Sequence, residues 1–281
     1  MPRSQLEKAR AFRDLHLADD SFLMPNAWSA GSARVLAECG FAAMGTTSAG
    51  IAFSRGTADY SGQLDREIAL LDTAAIAAAV DLPVSADSED GYGDTPELIA
   101  ESMHLFVEAG AVGVSIEDHD THNHCLFSRD QAVARVAAAR AGCDASGLPV
   151  TLTARAECFL LDHPDPLREA IERANRYREA GADCLYVPAV TAAADIATLV
   201  REIDGPVNVV MGLAGTPLSV AQLRELGVRR ISVGGSLARA TFGLIRRAGQ
   251  EMLRDGTFSY ASGQIADAEL CALFSRPHSV D

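Results

Sequence analysis

The chain has 281 residues, 48% of them hydrophobic, with 38 acidic against 24 basic side chains and a formal net charge of −14. That excess of negative charge argues against a nucleic-acid or anionic-membrane partner, which needs clustered positive charge. No apolar run approaches the ~20 residues of a membrane span, and MPRSQLEKARAFRDLH at the start is polar and mixed in charge rather than signal-like, so a cytoplasmic protein is expected. The only lysine is Lys8, which removes Schiff-base, pyridoxal phosphate and P-loop chemistry.

In chain order, FLMPNAW predicts a first strand from near residue 22, followed by helical SAGSARVLAEC. A glycine then ends the helix and a β-rich run begins at once: AECG-FAAMGTTS near 41, EAG-AVGVSIED near 111, EAG-ADCLYVPA near 182 and ELG-VRRISVGG near 228. Proline-led runs supply LPVSAD near 83, LPVTLTAR near 149 and GPVNVVMG near 206. Helical TPELIAESMHLFVEA, SRDQAVARVAAARA and PLREAIERANRYREA fall between them. Several strands are continuously apolar, as both-face burial requires.

Eight such units predict a (β/α)8 barrel over about 20–245 within one domain, 1–281. A doubly wound sheet is the alternative, but no GxGxxG follows the first strand. The surplus amphipathic GQIADAELCALF belongs to a C-terminal helical extension, about 246–281, that covers the barrel or crosses to a neighbouring subunit. The six cysteines form no CxxC pair and are expected as free thiols.

Residues at the C-terminal ends of barrel strands face the active site, and the polar residues concentrate there. Strand two ends in Thr46-Thr47-Ser48 with Asp59 beyond, strand three in Asp87-Ser88-Glu89-Asp90 and strand four in Glu117-Asp118. Strand five carries Arg155 and Glu157, strand seven Asn208, and strand eight Gly234-Gly235-Ser236. SEDGYGD alone fits a solvated loop. Acidic ends from separate strands at one mouth point instead to a cation, and hard oxygen donors suit Mg²⁺, or Mn²⁺, over Zn²⁺.

Alternation along strand three is expected to point Asp87 and Glu89 to one side. Arg155 needs an anionic partner, either Glu157 or Glu117 or a substrate carboxylate. The Thr46–Ser48 turn offers donors to a carboxylate or phosphoryl group, and equally suits a helix cap. Gly234-Gly235-Ser236 reads as a phosphate site or, more simply, a helix start. His119, His122, His124 and Cys125 match no regular zinc spacing, and their segment is expected to act as a loop over the site that supplies a general acid.

MPNAWSAGSARVLAECGF, TTSAG, VSADSEDGYGD, AGAVGVSIED, TARAE, GADCLYVP and LGVRRISVGGSLARA together resemble the isocitrate lyase/phosphoenolpyruvate mutase superfamily, in order over roughly 20–245. The resemblance implies a barrel with Mg²⁺ at its mouth, usually tetrameric through exchanged C-terminal helices. It implies Asp87 as direct metal ligand, with Asp59, Glu89 and Glu117 holding the ion mostly through water. It also implies Arg155 and the Thr46–Ser48 turn at the substrate's anionic end, with Asn208 nearby, and a pyruvate-like enolate.

Around Cys125 the chain reads HNHCLF, without the lysine, glycine and following histidine of the family's lyase loop. Helical SRDQAVARV also starts too soon for the long gate of the phosphonate mutases. The resemblance is therefore closest to the short-loop branch, which includes oxaloacetate decarboxylase-like enzymes. The expectation is a Mg²⁺-dependent lyase that cleaves a C–C bond of a small 2-oxo or 2-hydroxy acid, oxaloacetate decarboxylase- or methylisocitrate lyase-like, with Cys125 or His124 as proton donor. P–C chemistry is the alternative, and a non-catalytic binding barrel is a third reading.

Overall fold

At each of the four helix–glycine–strand junctions the glycine turns left-handed: φ is 87° at Gly40, 96° at Gly110, 106° at Gly181 and 85° at Gly227. The computed structural model describes residues 3–121, 123–213 and 218–275; His122 lies outside them. The strands are β1 (Phe22–Met24), β2 (Asn26–Ala27), β3 (Met44–Thr46), β4 (Val84–Asp87), β5 (Gly113–Glu117), β6 (His119–Asp120), β7 (Cys125–Leu126), β8 (Thr151–Arg155), β9 (Cys184–Tyr186), β10 (Val207–Val210) and β11 (Arg230–Ser232). The helices are α1 (Gln5–Leu17), α2 (Ala30–Glu38), α3 (Ser48–Ser54), α4 (Arg66–Ala78), α5 (Pro96–Glu108), α6 (Arg129–Ala145), α7 (Pro166–Glu179), α8 (Ala193–Glu202), α9 (Val220–Glu225), α10 (Ser236–Asp255) and α11 (Asp267–Ser275).

Nine strands form a parallel sheet in the order β1-β11-β10-β9-β8-β5-β4-β3-β2. Its ends, β1 and β2, are two halves of one stave broken at Pro25. Phe22–Met24 pairs with β11, and Asn26–Ala27 pairs with β3. Proline cannot donate to a ladder, but its carbonyl still accepts from Gly45 N–H at 2.9 Å. The sheet thus nearly closes into a barrel of eight staves, the α/β architecture expected from the repeat. The observed strands start one to three residues later than the apolar runs near 41, 83, 111, 149, 182, 206 and 228, because each run first completes the turn out of its helix or proline.

Capping fixes the helix starts. Ser4, Ser29, Ser128 and Ser219 each close a reciprocal capping box, and Thr95 caps α5 with Pro96 in its first turn. Leu152, Leu185, Val209 and Ile231 lie in the main core with the inner faces of α5 to α8. α1 closes the N-terminal end of the barrel. Its Phe12 and Ala9 pack with Phe22, Met24 and Val112, and a Cβ on Gly113 would sit 2.5 Å from the Phe12 ring. The other end is left open to hold the site.

Two features depart from expectation. α10 runs unbroken from Ser236 to Asp255, so the boundary near 245 falls inside a helix rather than between barrel and extension. The strand-four exit carries a short antiparallel hairpin, β6–β7, that periodicity does not reveal. α11 lies against α2 of the same chain, where Arg34 donates to the carbonyls of Leu273 and Phe274 at 2.7 Å each. Phe242, Leu244, Ile245, Met252, Leu253, Phe258 and Ile265 remain exposed along this C-terminal region. No helix among the described residues is long and apolar enough to cross a membrane.

Candidate active site

At the C-terminal end of the barrel a cavity of about 330 Å³ opens, lined by Thr46, Thr47, Ser48, Asp59, Asp87, Arg155 and Asn208 among others. Asp87 ends β4, and its carboxylate is held by Ser48, Arg155 and, at 3.4 Å, the Ser115 hydroxyl, which donates to Oδ1. Ser48 donates its N–H and its hydroxyl to Oδ2, both at 3.0 Å. Arg155 Nη1 donates to Oδ1 at 3.0 Å. The Asp87 N–H in turn donates to Thr46 Oγ1 at 2.8 Å. Thr47 caps α3 by accepting from Gly50 N–H. The Thr46–Ser48 turn therefore does two jobs, capping a helix and fixing Asp87, and Ser48's donors are spent on the carboxylate.

Arg155, at the end of β8, pairs with both of the glutamates offered as its partners and with Asp87 as well. Nε meets Glu157 at 2.7 Å, Nη2 meets Glu117 at 3.0 Å, and Nη1 takes Asp87. Its guanidinium carbon lies 5.1 Å from the centre of the Tyr186 ring. Burial works against its charge, but Glu117, Glu157, Tyr60 and Asp87 more than restore it.

The carboxylates are in the opposite position. Burial pushes Glu117 well above the usual range despite Arg155, and Glu157 up to about 7. Asp59 is raised to about 6 by burial and by Asp87. Glu89 is raised to about 8 by burial and by Asp87 and Asp59. Among the described residues five acids thus share one arginine, and Asp59 Oδ1, Glu117 Oε1 and Glu157 Oε2 are buried without a hydrogen-bond partner.

That donor set fits a hard divalent cation. Among the described residues no three His, Cys, Asp or Glu side chains converge as an all-protein cage. Mg²⁺ does not need one, since it commonly keeps several waters and binds through one or two carboxylates. Asp87 and Asp59 line the cavity and could hold such an ion, with Glu89 and Glu117 acting from behind. The alternation argument for Glu89 does not hold. β4 stops at Asp87, and Glu89 lies beyond it with φ of 46°, buried by the bend while its carbonyl accepts from Glu117 N–H at 2.9 Å.

The structure does not bring His124 and Cys125 to the cavity. Both are exposed at the β6–β7 hairpin, outside the lining. Gly235 starts α10 as its N-cap residue, in keeping with the helix-start reading. Sequence reasoning missed several residues. Tyr60 OH donates to Glu117 Oε2 at 3.3 Å. His119 is buried 3.8 Å from Glu117, with neither ring nitrogen hydrogen-bonded among the described residues. Asn26 accepts from Val233 and Gly234 N–H and donates to the Thr46 carbonyl, tying two strand ends together. Arg230 also lines the cavity. Only Arg230 left a sequence signal: an inward alternate position in VRRIS with no acid beside it.

The sequence matches the phosphoenolpyruvate phosphomutase family over residues 12–253. An uncharacterized protein of Mycobacterium tuberculosis is 33% identical over 266 residues, 92% of this chain and 97% of its own. A 2-methylisocitrate lyase of Halalkalibacterium halodurans is 27% identical over 252 residues, 87% of this chain and 77% of its own. The crystal structure of a putative lyase/mutase from Burkholderia cenocepacia superposes with a TM-score of 0.93 at 47% identity, covering 97% of this chain and 98% of that one.

Proposed function

This chain belongs to the isocitrate lyase/phosphoenolpyruvate mutase superfamily, a superfamily of lyases and mutases, and from that premise we propose that it is a Mg²⁺-dependent lyase. Its substrate is a small 2-oxo or 2-hydroxy acid, cleaved at a C–C bond through a pyruvate-enolate-like intermediate. The observation that carries this reading is the group of five buried or half-buried acids around Arg155, of which Asp59 and Asp87 line the cavity. Mn²⁺ suits the same oxygen donors.

When bound, the cation supplies Lewis-acid stabilisation of the negative charge that develops on the substrate oxygen. Arg155 lines the cavity with its remaining guanidinium hydrogens and neutralises the substrate's anionic end. The backbone at Thr47 and Ser48 borders the same end at the start of α3, and the Asn208 amide faces the cavity from β10. Asp59 lines it with a buried, unpartnered Oδ1. For a 2-hydroxy acid it takes the hydroxyl proton as the C–C bond breaks, and the bond's electrons pass to the departing carbanion. For a 2-oxo diacid, CO2 leaves and the electrons form the enolate. A donor from the β6–β7 hairpin, Cys125 or His124, protonates that carbon when the hairpin folds over the mouth.

The test is a panel of 2-oxo and 2-hydroxy acids screened for pyruvate release with Mg²⁺ and with EDTA. A second reading, P–C bond chemistry at the same site, is favoured by the name of the matching family. Phosphorus NMR on phosphonopyruvate separates the two. A tetramer assembled through the C-terminal helices accounts for the exposed Leu244, Leu253 and Phe258; light scattering that gives a monomer at micromolar concentration would remove it. The six free thiols suit a reducing cytoplasm.

A further inference from the structure

Asp118 directly follows Glu117, the last residue of β5, and successive side chains of a strand point to opposite faces. Glu117 turns to Arg155 Nη2 at 3.0 Å. Asp118 turns the other way, 2% exposed and outside the cavity lining. Its Oδ1 accepts from the Glu157 N–H at 2.8 Å, and its Oδ2 accepts from the Tyr177 hydroxyl at 2.6 Å and from Arg173 Nη1 at 3.0 Å. Arg173 is itself fixed on both sides. It donates from Nη1 to the Phe127 carbonyl at 2.9 Å and from Nε to Glu169 at 2.7 Å.

The Glu157 N–H opens the single 3₁₀ turn Glu157–Phe159 that leaves β8, and Ala156 before it has no side chain able to cap that turn. Asp118 supplies the cap from the neighbouring strand, with a charged acceptor. At the other end of the same residue, Glu157 Oε1 accepts from Arg155 Nε at 2.7 Å, while Oε2 has no hydrogen-bond partner among the described residues. The carboxylate that orients Arg155 is therefore placed by its own main chain, and Asp118 holds that main chain. Docking of α7 does not call for the ion pair, since Ala170, Ile171 and Ala174 already seat the helix in the main core. Exchanging a buried ion pair for apolar residues of similar volume is often neutral or stabilising. The buried charges thus hold a geometry rather than supply stability.

We propose that Asp118, held by Arg173 and Tyr177, is a positioning residue for the cavity: through the Glu157 main chain it sets the direction from which Arg155 meets a bound anion. This rests on the lyase reading for the anion that Arg155 meets, and not for the hydrogen bonds that place the guanidinium.

The test uses the full-length protein with ¹⁵N-labelled arginine, in which the Arg155 Nε–Hε resonance is identified by its absence from Arg155→Met. A triple variant, Asp118→Leu with Arg173→Met and Tyr177→Phe, replaces the polar junction by apolar groups and leaves Glu169 paired with Arg129 Nε at 3.0 Å. It is expected to fold and to lose the wild-type position of the Arg155 resonance. In calorimetric titration with Mg²⁺ it is expected to bind oxalate, a planar stand-in for a pyruvate enolate, about 10-fold or more weakly, the worth of one misplaced hydrogen bond to a charged group. Asp118→Asn keeps an oxygen for the Glu157 N–H and is expected to hold both the resonance and the affinity near wild type. An unchanged resonance or an unchanged oxalate affinity in the triple variant overturns the proposal, as does an Asp118→Asn variant that behaves like the triple. A triple variant that fails to fold overturns it too, because the pair would then serve the fold rather than the site. If the wild type takes no oxalate, the lyase reading fails, while the resonance, which needs no ligand, still decides the role of Asp118.

Discussion

Replacing Arg155 by methionine removes the one cation that, among the described residues, is set among these five acids. The arginine's three nitrogens each contact a different carboxylate, at 2.7, 3.0 and 3.0 Å, and the side chains of Glu117 and Glu157 have 0% exposure. Breaking a buried pair and leaving its partner uncompensated costs about 3–5 kcal/mol. With about 2.1 cal/mol/K of unfolding entropy per residue, a chain of this length would lose about 5–8 °C in Tm. The loss is expected to depend on pH. A carboxylate whose folded pKa lies above its unfolded value destabilises the fold as pH rises between the two. Glu157 already stands near 7, and Arg155 holds it and Glu117 below where burial alone would put them. Without Arg155 both rise further, so the gap between wild type and Arg155→Met widens from pH 5, where the acids are protonated in both, to pH 8. Thermal unfolding by circular dichroism, in EDTA, at the two pH values measures this. An equal loss at pH 5 and pH 8, or no loss at either, would refute the charge accounting on which the site is built.

Binding of Mg²⁺ is expected to release at least one proton at pH 7, because Glu89 at about 8 is then mostly protonated and Asp59 at about 6 is mostly not, and Glu117, also raised by burial, can only add to the count. Calorimetry in two buffers of different ionisation enthalpy counts the protons, and a value of zero would mean that none of these acids senses the ion. The same protons make metal affinity fall as pH drops from 8 to 6. If the β6–β7 hairpin supplies the proton donor, either Cys125→Ala or His124→Ala lowers turnover about 100-fold or more without changing Mg²⁺ affinity. Full activity in both variants takes the hairpin out of the chemistry.

The barrel was readable because its signals are local and repeated: eight apolar runs, each followed by a helical stripe, four of them entered through a left-handed glycine and three through a proline. The same grammar placed Thr46, Asp87, Glu117, Arg155 and Asn208 at strand ends or inner faces. Two kinds of information were not local. Glu89 is buried by a bend after β4 that no period-two pattern encodes. The roles of Tyr60, His119 and Asn26 arise from contacts between distant segments, such as Tyr60 with Glu117 and Asn26 with Gly234. The hairpin that carries Cys125 was hidden because its paired segments are only two residues each, too short to show alternation.

The most direct measurement is pyruvate release across 2-oxo and 2-hydroxy acids, oxaloacetate included, by the full-length protein and by Asp87→Asn. Release that requires Mg²⁺, stops in EDTA, returns when Mg²⁺ is restored and is lost in Asp87→Asn is the expected result. Release that continues unchanged in EDTA would contradict it.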